Sequence, residues 1–136
     1  METTQVAAAT AEVAHAAPLQ MPKLGSPAKD GKYAGVLTDD DGHVYVLVLL
    51  DAQPPKQLTW KAAQTWAEDV GGALPTRVES AQLFRALGAE FKKDWHWTSE
   101  TYGSSGAWIQ GFGYDNQDAG HVDGSYCARA VRRFVL

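Results

Sequence analysis

Four histidines, one cysteine and one oxygen-rich stretch are where this sequence places residue types able to do chemistry. A nucleophile needs a base within hydrogen-bond reach and a third group to orient that base. His15 lies in an Ala- and Thr-rich N-terminal stretch, His43 starts a β-rich run, and His121 sits among polar residues. Ser99 follows His96 closely, but both belong to the segment WHWTSE, whose alternation of large and polar residues reads as a strand. None of the histidines falls in a recognisable catalytic motif, and no catalytic residue is assigned. The sequence is read as that of a non-enzyme.

The stretch 114–123 carries Tyr114, Asp115, Asn116, Gln117, Asp118, His121 and Asp123. Calcium favours six to eight oxygen ligands, so this is the one place where calcium would be suited. The EF-hand spacing is absent, and the stretch is read as a solvated polar loop with no metal site and no cofactor. Tyr114, Asp115, Asn116 and Asp118 are the candidate ligand contacts, with Tyr114 able to stack on a sugar or pack on a protein. Asp39, Asp40, Asp41 and Gly42 read as a turn. Trp95, Trp97, Trp108, Phe112 and Tyr114 gather toward the same region; alternation puts Trp97 and Trp108 in the core. Arg129, Arg132 and Arg133 are expected to form a solvent face with weak salt bridges.

These residues need a scaffold, and 136 residues suffice for one domain. A net charge of −4 argues against a nucleic-acid binder working through a broad basic face. Cys127 is the single cysteine, so no intrachain disulfide forms and the fold stands on packing. The first residues carry no Lys or Arg and so lack the positive region of a secretion signal. No apolar run approaches the roughly 20 residues needed to cross a bilayer.

Residues 33–38 and 43–50 read as the strands of a hairpin. Thr59 is placed as N-cap of a helix whose apolar stripe is Ala62, Ala63, Trp66, Ala67 and Val70, stopped by Gly71 and Gly72. Thr76 and Glu79 have capping-box spacing for a second helix, with Val78, Leu83, Phe84 and Leu87 as its buried face and Gly88 at its end. Residues 95–99 and 107–112 alternate as strands around a Gly/Ser turn, 113–124 reads as a polar loop, and 126–136 as a closing strand. The fold class is α+β. Residues 1–31 differ in composition from 32–136: an Ala/Thr-rich stretch, weakly helical in its spacing, then Pro18, Pro22, Gly25 and Pro27. They are read as an N-terminal arm and linker, with Val6, Val13 and Leu19 as its candidate anchoring residues.

The segments LTWKAAQTWAEDVGG, ALPTRVESAQLF, WHWTSE, AWIQGF and CARAVRRF occur in that order over about 100 residues, 33–134. Together they resemble the Lcl C-terminal-like domains found in bacteria and in phage and prophage genomes. The resemblance implies a C-type-lectin-like fold: the termini of the domain pair as neighbouring strands, two helices flank the sheet, and a long irregular loop, here 102–125, carries ligand recognition. Lectins of this fold often bind sugar through calcium in the equivalent loop, but their "EPN" and "WND" signatures are absent. Sulfatase-activating oxidases share the fold and need a cysteine pair, which Cys127 alone does not supply.

The resemblance implies a phage virion protein whose lectin-like domain is held by its arm to a capsid or tail. Its partners would be other virion proteins, a host surface glycan or protein, and further copies of the chain, with neither nucleic acid nor membrane insertion involved. Capsid decoration and receptor recognition both fit. The alternative is a bacterial carbohydrate- or protein-binding module, or an enzyme built on the same fold.

Overall fold

The computed structural model describes residues 21–136. The proposed anchoring residues Val6, Val13 and Leu19 lie outside them. Strand β1 (Pro27–Ala28), β2 (Gly31–Thr38) and β3 (Val44–Leu50) precede helices α1 (Trp60–Asp69) and α2 (Arg77–Leu87) and a 3-10 turn (Gly88–Glu90). Strands β4 (Trp95–Tyr102), β5 (Gly106–Gly111), β6 (Asn116–His121) and β7 (Val131–Val135) follow. All strand pairings are antiparallel, in two sheets ordered β1-β2-β3-β7 and β4-β5-β6. The α+β class follows from two helices packed on two antiparallel sheets.

The hairpin forms where the turn chemistry demands it. Asp39 Oδ1 accepts the backbone N–H groups of Asp41 and His43, at 2.9 and 2.8 Å, and Gly42 takes the positive φ of 86° that closes the turn. Pro27 and Ala28, read from sequence as linker, instead pair with Lys32 and Gly31 and extend this sheet by one short strand. At the far edge β7 lies beside β3, with β2 one strand further in, so the opening hairpin and the closing strand share a sheet.

Both helices start at their expected caps. Thr59 caps α1 through Ala62 N–H, and Thr76 and Glu79 complete a reciprocal capping box on α2. Helix α1 buries Ala63 and Ala67, with Trp60, Trp66 and Val70 packed on the core beside them; Ala62 is exposed. Helix α2 buries Leu83 and Leu87, but Val78 is 67% exposed and Glu79 fully buried. The buried face begins one residue later than apolar periodicity suggests, because Glu79 takes the inward position to meet Arg133.

Two apolar cores result. Trp97 is fully buried in the first, with Val48, Leu50, Ala63, Leu74 and Ile109, and its indole N–H donates to Leu58 O at 2.7 Å. Leu47, Leu83, Leu87, Phe91 and Phe112 form the second, where the Phe91 and Phe112 rings stack at 3.9 Å. Trp108 is not core: it is half-buried, covered by Arg77 and Tyr102.

Neither 113–124 nor the long loop expected over 102–125 is a loop throughout, since β5 and β6 run within that range. Asn116–His121 form β6, paired residue for residue with β5 from Asn116↔Gly111 to His121↔Gly106. An edge strand with one wet face tolerates polar side chains, since its ladder comes from the backbone. The closing strand is shorter than 126–136: β7 covers Val131–Val135, while Tyr126 and Cys127 make isolated bridges to Leu58 and His96.

Candidate functional site

An open groove of about 370 Å³ runs between the start of α2 and the β4-β5-β6 sheet. Its walls are Arg77, Val78 and Ala81 of α2, Glu100 of β4, Gln110 of β5, and Asp115, Asn116 and Gln117. Cross-strand partners in a sheet share a face. Trp108↔Ala119 and Gln110↔Gln117 therefore point to the side where α2 packs.

An amide network ties the walls together. Gln110 is fully buried; its side-chain N–H donates to Gly111 O at 2.9 Å and to Asp115 Oδ1 at 3.3 Å. Its Oε1 accepts from Gln117 Nε2, which also donates to Arg77 O at 2.8 Å. Arg77 closes the circle by donating from Nε to Gln117 Oε1 at 2.9 Å, while its backbone N–H, one of the free donors of the first helical turn, goes to Glu100 Oε2 at 2.8 Å. The Arg77 guanidinium lies over Trp108, 3.6 Å from the ring centroid, and Tyr102 meets the same ring edge-on. The arrangement presents a planar cation on an aromatic ring beside a carboxylate and fixed amides. The chemistry such a surface offers is hydrogen bonding to polar groups.

Of the residues singled out in the sequence, Asp115 and Asn116 line this groove. Tyr114 precedes them on the turn from β5 and is 83% exposed. Asp118 does not join them: it pairs with Ile109, on the opposite face of the sheet from Gln110 and Gln117, and its carboxylate accepts Ala119 N–H. The acidic side chains of this stretch do not gather. Among the described residues the one set of three His, Cys, Asp or Glu ligand atoms lying within 4.8 Å of one another is Asp39, Asp41 and His43. All three are exposed and are drawn together by the hydrogen bonds of the turn. The backbone N–H of His43, with further help from that of Asp41, holds the Asp39 carboxyl below its ordinary range. Sequence reasoning missed Arg77, Glu100, Gln110 and Gln117, whose meeting depends on the β5–β6 register and on α2 packing against it.

His96 and Ser99 do not form a nucleophile–base pair. His96 is buried against Phe91 and Phe112, and its Nδ1 faces Asp94 O at 3.0 Å. Burial pushes its pKa down to about 4, so the ring is neutral at pH 7. Ser99 N–H donates to Pro75 O. Cys127 is buried, and desolvation raises its thiol pKa, which disfavours the reactive thiolate. No described helix is long and apolar enough to cross a membrane.

Of the three closing arginines, Arg133 is exposed and Arg132 partly so, but Arg129 departs from the expected solvent face. Arg132 is half-exposed and holds Gly71 O and Asp30. Arg133 grips the buried Glu79 with Nε and Nη2, at 2.6 and 2.7 Å. Arg129 is only 4% exposed and spends Nη1 and Nη2 on the carbonyls of Glu90 and Leu50. These side chains close the end of the chain onto distant backbone, which a local reading of CARAVRRF does not reveal. No protein-family model and no curated protein matches the chain.

Proposed function

We propose that this chain is a non-enzymatic recognition module with a C-type-lectin-like fold, carried on a phage particle. The observation that carries the recognition role is the groove itself: an amide network of Gln110 and Gln117 around Arg77, whose guanidinium is backed by Trp108, open to solvent between α2 and the sheet. Ligand sites are concave surfaces with a few fixed polar groups, and this groove has the volume of a small-ligand site. The lectin-like reading is supported by the opening hairpin and β7 sharing one sheet, by the two helices, and by the second three-stranded sheet.

The ligand is a host surface glycan or protein, engaged without a metal ion. The stretch 1–20 attaches the domain to other virion proteins, with Val6, Val13 and Leu19 as the apolar anchors, and the module works as a homo-oligomer. The virion placement rests on the sequence resemblance.

A glycan array probed with and without calcium, repeated with Gln117→Ala, tests recognition. Binding that survives chelation and is lost in the variant is expected. The absence of any hit in either condition would remove carbohydrate recognition. For the arm, a version lacking residues 1–20 should fold but be missing from purified particles. Retention on particles would disprove anchoring.

A further inference from the structure

Arg129 presents a different problem from its neighbours. A buried guanidinium is costly unless a carboxylate or a full set of acceptors meets it. Among the described residues Arg129 has no carboxylate partner. Glu90 and Asp51, whose charges reach it, are both engaged by Lys32, at 3.2 and 3.0 Å. Its terminal nitrogens hold two backbone carbonyls, and Phe91 lies 4.9 Å from the guanidinium carbon. Its Nε is the one buried side-chain nitrogen or oxygen among the described residues that has no hydrogen-bond partner.

A small cavity adjoins this side chain, lined by Arg129, His96, Gln53, Gln57, Lys56 and Lys92, with the Cys127 thiol in the wall. It holds about 20 Å³, enough for a single oxygen-sized atom. Lys56, Lys92, Gln53 and Gln57 are exposed and form its mouth, whereas Arg129 and His96 are buried. Gln57 at the mouth donates its amide to the Asp94 carboxylate at 3.2 Å. Three cationic side chains thus line a void of atomic size, and one of them, Arg129, carries the unpartnered Nε–H. We propose that this cavity is an anion subsite, seating one oxygen of a carboxylate or phosphate group against Arg129 with Lys56 and Lys92 at the mouth. It shares no residue with the groove and stands whether or not the groove binds a glycan.

The test is the NMR resonance of the Arg129 Nε–Hε group in the full chain, titrated with acetate, phosphate and chloride at constant ionic strength. A saturable shift with acetate or phosphate is expected, and the anion that saturates at the lower concentration identifies the group. The double variant Lys56→Gln, Lys92→Gln changes only exposed side chains and should weaken the midpoint about tenfold. Three results would each overturn the proposal: no saturation with either oxyanion, chloride saturating as well as they do, or a double variant that binds as tightly as the parent. A crystal soaked in the oxyanion that shows only water in the cavity would do so as well.

Discussion

The first turn of α2 faces two ways, and its two sides put polar groups to opposite uses. On the inner side Glu79 is fully buried and accepts four donors: Arg133 Nε and Nη2, Tyr45 O–H at 2.7 Å and Thr76 N–H at 2.8 Å. On the outer side, two residues earlier, Arg77 enters a network that is equally well bonded but open to water. The buried cluster joins α2 to β3 and β7 and leaves its carboxylate nothing to offer a ligand. The groove holds its side chains just as firmly while exposing their edges. A polar group that is satisfied and sealed specifies the fold; one that is satisfied and wet is available for recognition.

Removing Glu79 should give the largest effect. Glu79→Ala leaves Tyr45 without its partner and frees Arg133, whose side chain keeps 35% of its surface in water, so the cost should sit at the low end of the roughly 3–5 kcal/mol of a fully buried pair broken from one side. Urea denaturation should show this as a large fall in midpoint. A loss under about 1 kcal/mol would mean that the sealed cluster does not specify the fold as argued.

Acid should come next, and it too strikes the buried groups. The folded His96 has a pKa of about 4 against an ordinary 6.5, because burial disfavours its charged form. The unfolded chain therefore binds the extra proton first. The resulting stability is fully present above pH 6.5 and is lost as pH falls toward 4, about 3 kcal/mol at most. Glu79 adds to the loss at lower pH. Burial raises its pKa, but Arg133, Thr76 N–H and Tyr45 together hold it below the ordinary value, so its contribution disappears as pH falls below the usual carboxylate range. Denaturation midpoints measured from pH 7 to 4 should drop steeply, and His96→Gln should flatten the upper part of that slope. An unchanged slope in the variant would assign the acid sensitivity elsewhere.

The same turn shows what the sequence made legible. The capping box was readable because its partners lie three residues apart and both satisfy the local backbone. The identity of the buried face was not, because Glu79 turns inward to meet an arginine 54 positions away. Val78 consequently faces solvent despite its apolar side chain. Strand β6 was hidden for a related reason. Its polar composition describes the wet side of an edge strand, while its backbone pairing with β5 leaves no trace in residue type. In the groove, Asp115 and Asn116 stood out through their oxygen-rich neighbourhood. The two glutamines and Arg77 carry no signal until the hairpin and α2 bring them together. Arg129 was the least readable, since its acceptors are carbonyls 39 and 79 residues away.

Thr76→Ala sharpens the comparison at lower cost. The Thr76 hydroxyl accepts Glu79 N–H at 3.1 Å, and losing an N-cap of this kind costs about 1 kcal/mol. Thermal melts should show a modest decrease. Because the Thr76 backbone N–H still reaches the Glu79 carboxylate, the sealed cluster should survive and acid sensitivity should keep its shape.

The smallest effect on stability should come from Arg77→Lys, and it should carry the clearest functional consequence. Lysine keeps the positive charge but loses the planar fork that donates to Gln117 while lying flat on Trp108. The backbone of residue 77 still donates to Glu100 and still accepts from Gln117, so helix and hairpin remain tied. The expected stability loss is about 0.5–1 kcal/mol, the size of one stacked cation plus a partly exposed hydrogen bond. Affinity for whatever ligand the array identifies should fall at least about tenfold, because the rigid edge of the groove is gone. An Arg77→Lys protein that binds as the parent does would place the recognition surface away from α2. The exposed Tyr114 would then be the next residue to test, through Tyr114→Ala.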